Sequence, residues 1–130
     1  MKAALQFALL LTALILIPFP VAAAPDLRPF GIEVVDDATG RGVPLVELET
    51  INHIRFVTDS NGMAAIADID LMGRTIYFHV RSHGHEYPKD GFGFRGKALK
   101  VEAGGRAILK IKRINVAERR KQRRGTTTTR

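Results

Sequence analysis

The sequence predicts an all-β domain, a single antiparallel β-sandwich of about seven short strands, on three observations. From Phe30 onward apolar residues recur with a period of two rather than three and a half. Turns rich in Gly, Asp, Asn and Pro separate these runs at intervals that suit short strands. No helical period of useful length follows the first two dozen residues.

Those first residues, "MKAALQFALLLTALILIPFPVAAAP", read as a secretory signal peptide. Lys2 is a minimal positive start, Ala3 to Ile17 form an uncharged apolar run, and Pro18 and Pro20 end any helix before the small residues Val21 and Ala23. A run of roughly 15 residues is shorter than the ~20 needed to span a bilayer. Cleavage is expected near Ala23, leaving no transmembrane span and a secreted, periplasmic or cell-surface protein. The expected organisation is therefore 1–23 signal peptide, 24–29 linker, 30–115 β-sandwich and 116–130 a disordered, basic, low-complexity tail. The chain has no cysteine, as is common in bacterial export, so a domain of this size must bury a proper core.

The formal net charge of +7 is unevenly placed. Residues 24–109 hold ten Lys/Arg against twelve Asp/Glu, whereas residues 110–130 hold nine against one. The globular part carries no electrostatic footprint for nucleic acid.

The strands follow in order. "FGIEVVD" (30–36) puts Phe30, Ile32 and Val34 on one face, and "VPLVELET" (43–50) turns Leu45 or Val46 inward with Leu48. "HIRFVTD" and "MAAIADI" are shorter runs of the same kind. "RTIYFHVRS" (74–82) sets Ile76, Phe78 and Val80 against Tyr77, His79 and Arg81, as a half-buried strand requires. "KALKVEA" and "RAILKIKR" finish the set. The expected core is Ile32, Val34, Leu48, Phe56, Ile66, Ile76, Phe78, Val80, Val101, Ile108 and Ile111. Thr39-Gly40 turns one hairpin; Asp59 to Gly62 turns the next, Asp59 or Asn61 capping it while Gly62 takes a positive φ.

The succession "EVVDDATGRGVPLVELE" (33–49), "FVTDSNGMAAI" (56–66) and "GRTIYFHVRSHGHEYP" (73–88) resembles the carboxypeptidase regulatory-like, or transthyretin-like, β-sandwich modules. The resemblance spans about residues 30–113. It implies a sandwich serving as a non-catalytic module of an exported bacterial protein of the planctomycete type, the present chain being the front part of a larger protein or a truncated product. Where such modules often have Gly followed by an aromatic residue, this chain has Gly84-His85 and then an inserted "EYPKDGFGFRG".

That insertion contains G-x-G-x-x-G at Gly91, Gly93 and Gly96. A dinucleotide fingerprint needs a following helix whose N-terminus meets the pyrophosphate, but "KALKVEAGGRAILKIKR" reads as a hairpin, so no nucleotide and no other cofactor is expected. On an extended strand His79 lies ~13 Å from His83, too far to share a metal. His83 and His85, ~6.6 Å apart, with Glu86 or Asp90, form the weak metal alternative, which would make the protein a metal-dependent enzyme using the 83–90 loop. No G-x-S-x-G, H-E-x-x-H or cysteine nucleophile occurs, and no enzyme is expected.

The candidate ligand-binding loop carries His83, His85, Tyr87, Phe92, Phe94, Arg95 and Lys97; aromatics there suit the faces of sugar rings, and polar groups the hydroxyls. Phe92 and Phe94 either plug the open end of the sandwich or stand on the surface. Arg119, Arg120, Lys121, Arg123 and Arg124 form a candidate polyanion-binding run. The Thr-repeat that ends the tail is what an out-of-frame stretch of GC-rich DNA would encode. The expected role is structural or adhesive, by binding carbohydrate or another ligand, with cell-surface polysaccharide or another domain of a longer protein as partner, and without nucleic acid.

Overall fold

The structure is a computed structural model that describes residues 20–125. The hydrophobic run of the expected signal peptide and the end of the tail lie outside the described residues, as does the side chain of Arg124.

The domain is all-β. Strand β1 (Phe30–Asp36) is followed by β2 (Glu47–Thr50), β3 (Arg55–Val57), β4 (Met63–Ile66), β5 (Thr75–Arg81), β6 (His85–Glu86), β7 (Gly96–Lys100) and β8 (Arg106–Arg113). They form two four-stranded sheets, in the orders β4-β1-β8-β6 and β3-β2-β5-β7. Every pairing is antiparallel except that of β1 with β8, which runs parallel from Gly31 opposite Arg106 to Asp36 opposite Ile111.

Alternation decides which side chains enter the core. Ile32 and Val34 of β1, Ile66 of β4 and Leu109 and Ile111 of β8 come from the first sheet. Leu48 of β2 and Phe78 and Val80 of β5 come from the second, and all join one buried cluster with Val43, Val46, Leu71 and Val101. Full burial of each such side chain stabilises the fold by about 1.5–3 kcal/mol. Phe56 and Ile76 pack only partly against this cluster. Ile108 is not core: it is 56% exposed. Its even position opposes Leu109 and Ile111, and two residues at odd spacing cannot face the same way on a strand.

Two local devices hold the sheets to their turns. Thr58 is buried, its hydroxyl accepting from the Val46 amide at 2.9 Å and donating to the Val43 carbonyl at 2.8 Å, so a chain crossing the core edge leaves no polar group unpaired. Next to it, Asp59 Oδ1 accepts the amides of Asn61 and Met63 at 2.8 and 2.9 Å. Gly62 closes that turn at φ 78° and is packed so closely that a Cβ would sit 2.6 Å from the Val34 carbonyl oxygen.

The tail differs from expectation. Residues 116–125, expected to be disordered, form helix α1 (Val116–Gly125). Asn115 caps it, its side chain accepting from the Ala117 amide at 3.1 Å and its carbonyl from those of Glu118 and Arg119. Ala, Glu, Arg, Lys and Gln are strong helix formers, and Glu118 complements the positive first turn. The helix has no apolar stripe, so its sequence carries none of the periodicity by which surface helices are read. No described helix is long and apolar enough to cross a membrane.

Candidate functional site

Tyr77 and His79 occupy the phase of β5 that faces away from the core. The segment after β6 folds back over them rather than staying at the end of the sheets. Its corner is the turn 90–94. Asp90 Oδ1 accepts the amides of Phe92 and Phe94, both at 2.9 Å, and the Asp90 amide donates to the Phe94 carbonyl at 2.8 Å. The other carboxylate oxygen accepts from the Tyr77 hydroxyl at 2.9 Å, which fastens the turn to the sheet. Desolvation raises the Asp90 pKa, but the Phe94 amide, the Tyr77 hydroxyl and the Phe92 and Gly93 amides outweigh it and hold the carboxyl below its ordinary value. Burial, with the bond to Asp90, pushes the Tyr77 hydroxyl up.

The rings form a ladder across the strand. Tyr77 meets His79 edge to face at 5.0 Å between centroids, and His79 meets Phe94 in the same way at 6.0 Å. Gly96 of β7 admits this packing, since a Cβ there would lie 2.6 Å from the Tyr77 ring. From the β2–β3 turn comes Ile51, exposed, and with Tyr77, His79, Asp90, Phe92 and Phe94 it lines a cleft of about 470 Å³.

Next to His79 on the same face stands its cross-strand partner Glu49, which is 3% exposed. His53 Nδ1 donates to Glu49 Oε1 at 2.7 Å, and Arg81 Nη1 lies 2.9 Å from Glu49 Oε2. The His53 bond holds the Glu49 carboxyl below its ordinary value against the opposing effect of burial, with Arg81 and Arg55 adding to it. This pair also closes the β2–β3 turn that presents Ile51, in which His53 takes a φ of 63°.

The expected loop residues are thus divided. Phe92 and Phe94 do not plug the core: they are 90% and 56% exposed, because the turn lifts them off the sheet. Tyr87 packs against the core cluster instead. Arg95 donates to the Tyr87 carbonyl at 2.6 Å and lies 3.4 Å from Glu86 Oε2, while Lys97 is exposed on the edge strand β7. His83 lines a separate, smaller hollow with Leu45, Glu47, Arg55, Arg81 and Ser82. His85 is turned to Asp36, 3.4 Å from Nε2 to Oδ2, and the Ala38 amide, then His85, hold that carboxyl low. His83, His85 and Asp90 therefore lie with three different sets of partners, and among the described residues no three His, Asp or Glu side chains gather as a metal-binding group. The three glycines of G-x-G-x-x-G lead into strand β7. Tyr77, His79 and Ile51 are the cleft residues that the sequence does not single out; rings in the solvent phase of a strand signal Tyr77 and His79, and no local pattern signals Ile51 in its turn.

Compared with models of known protein families and with curated proteins, the chain matches none.

Proposed function

We propose that this is an exported, non-catalytic β-sandwich module, of the transthyretin-like kind that its turn motifs resemble, and that it binds a saccharide in the cleft over β5. The observation that carries the reading is Phe92, 90% exposed on a turn fixed by four hydrogen bonds to Asp90. With Phe94 and Ile51 it makes a contiguous apolar ledge rather than a scattered surface residue. A ledge of flat rings suits the C–H face of a sugar, and the His79 imidazole at its foot suits a hydroxyl.

Binding rather than proton transfer fits the state of the polar groups. Asp90 spends both oxygens on the turn and on Tyr77, and its lowered pKa makes it a poor proton donor. The test is retention of the full chain on insoluble cellulose, chitin and peptidoglycan, beside the double variant Phe92→Ala/Phe94→Ala. Retention on at least one of them, lost in the variant with an unchanged melting curve, is expected; equal behaviour of the two proteins sinks the reading.

A further inference from the structure

The basic residues of the C-terminal stretch are not confined to the tail, because the alternation of β8 sorts three of them, Arg106, Lys110 and Lys112, onto a folded surface. Arg106, Ile108, Lys110 and Lys112 share the outward phase of β8 and are all exposed. Lys110 and Lys112 stand ~6.7 Å apart along the strand. Glu86 of β6 is the cross-strand partner of Lys112, and side chains directly opposite on an antiparallel pair lie on the same face. Glu86 is also the residue that Arg119 of α1 reaches in an ion pair. One carboxylate thus ties the start of α1 to the end of β8, and the exposed helix cations Arg120 and Lys121 follow Arg119 directly in the chain. The other carboxylate on this face of β1, β4, β6 and β8 is Glu33, engaged by Arg106 at 3.4 Å.

We infer that the outer face of β8, together with the first turns of α1, is a second binding surface, for a linear anionic polysaccharide bearing sulfate or carboxylate groups. The choice of polymer follows from what accompanies the charges. Single-stranded nucleic acid is held by stacking on aromatic rings, and residues 106–125 contain none. A surface-bound membrane helix needs an apolar face, and α1 offers only Val116 and Ala117. What remains is a row of exposed cations with one aliphatic side chain, Ile108, among them, which a charged sugar chain can lie along. Preference for polysaccharide over duplex nucleic acid rests on the export reading above.

Affinity for a fluorescent heparin oligosaccharide is measured on the full chain at several salt concentrations, for the wild type, Lys110→Gln/Lys112→Gln, Arg120→Gln/Lys121→Gln, and Phe92→Ala/Phe94→Ala. With about four charges neutralised, the wild type should lose roughly 100-fold in affinity between 50 and 200 mM salt, and each basic pair removed should lower the salt slope by about 2. All four proteins should melt alike. If the helix pair abolishes binding while the strand pair leaves affinity and slope unchanged, the folded surface is overturned and only an unstructured basic run is at work. Tighter binding to single-stranded RNA, duplex DNA or phosphatidylglycerol vesicles than to heparin at equal salt overturns the polysaccharide assignment. Loss of heparin binding in the phenylalanine variant places the anion in the cleft and overturns the second surface, whereas failure of the cleft proposal alone leaves heparin binding intact.

Discussion

Asp59 and Asp90 each head a five-residue turn with the same four bonds. The aspartate amide donates to the carbonyl four residues on, its carbonyl accepts from the amide three on, and its Oδ1 accepts the amides two and four on. Both turns place a glycine fourth, Gly62 at φ 78° and Gly93 at φ 86°. Their surroundings are opposite. Gly62 is wedged against the backbone of Val34 and Val43 and its turn launches β4 into the core, whereas nothing lies within 4 Å of a Cβ built on Gly93. The exposed third position is Asn61 in one and Phe92 in the other. Since the turn at 59–63 closes with asparagine at that place, its geometry has no need of a phenylalanine there, and the ring at 92 calls for an explanation outside the fold.

The sharpest way to break this comparison is at the glycines. Gly62→Ala meets both a strained φ and a backbone overlap and should cost about 3 kcal/mol or more, lowering Tm by more than about 10 °C. Gly93→Ala meets only the φ and should cost about 1–2 kcal/mol. Equal losses would show that the two turns are equally embedded. Thr58→Val tests the buried support behind the first turn; stranding the Val46 amide and the Val43 carbonyl should cost about 1–3 kcal/mol in denaturant unfolding. Phe92→Asn, which copies the first turn into the second, should change stability by less than about 0.5 kcal/mol and remove saccharide binding.

The smallest effect is that of pH. Asp90 and Glu49 have carboxyls held below their ordinary values, so each contributes stability that is fully present above the unfolded pKa, about 4, and is lost as pH falls through the lower folded value. The melting temperature should therefore owe no pH dependence to these two groups between pH 5 and 7 and should decline below pH 4. Glu49→Gln should flatten that decline, and an unchanged profile would show that the His53 bond does not hold the carboxyl down.

Strict alternation makes β1 and β5 legible from sequence, with Ile32, Val34, Phe78 and Val80 buried as their spacing requires. β8 is ambiguous because Ala107, Ile108 and Leu109 are three apolar residues in a row; only the partnership with Ile111 decides for Leu109. The turn at 59–63 is legible because its Asp and Gly have one common use. The cleft is less so. Phe92 and Phe94 announce themselves in a polar loop, but the outer side of β5 reads as solvent-facing until a segment ten residues later is laid across it, and no local pattern encodes that. Helix α1 escapes for a different reason: its support is capping and propensity, which hydrophobic periodicity does not register.

The parallel pairing of β1 with β8 has a consequence in time. Gly31 finds its partner Arg106 seventy-five positions along the chain, and the central strands of the first sheet cannot join until the last strand exists. Loop closure over that distance precedes any gain from pairing, so folding waits on the end of the domain and is slow for its size. A nascent chain of this design cannot complete its first sheet until residues 106–113 have been made. On the export reading, the topology postpones completion of the core, which needs Leu109 and Ile111, until nearly the whole polypeptide has been threaded through a membrane pore.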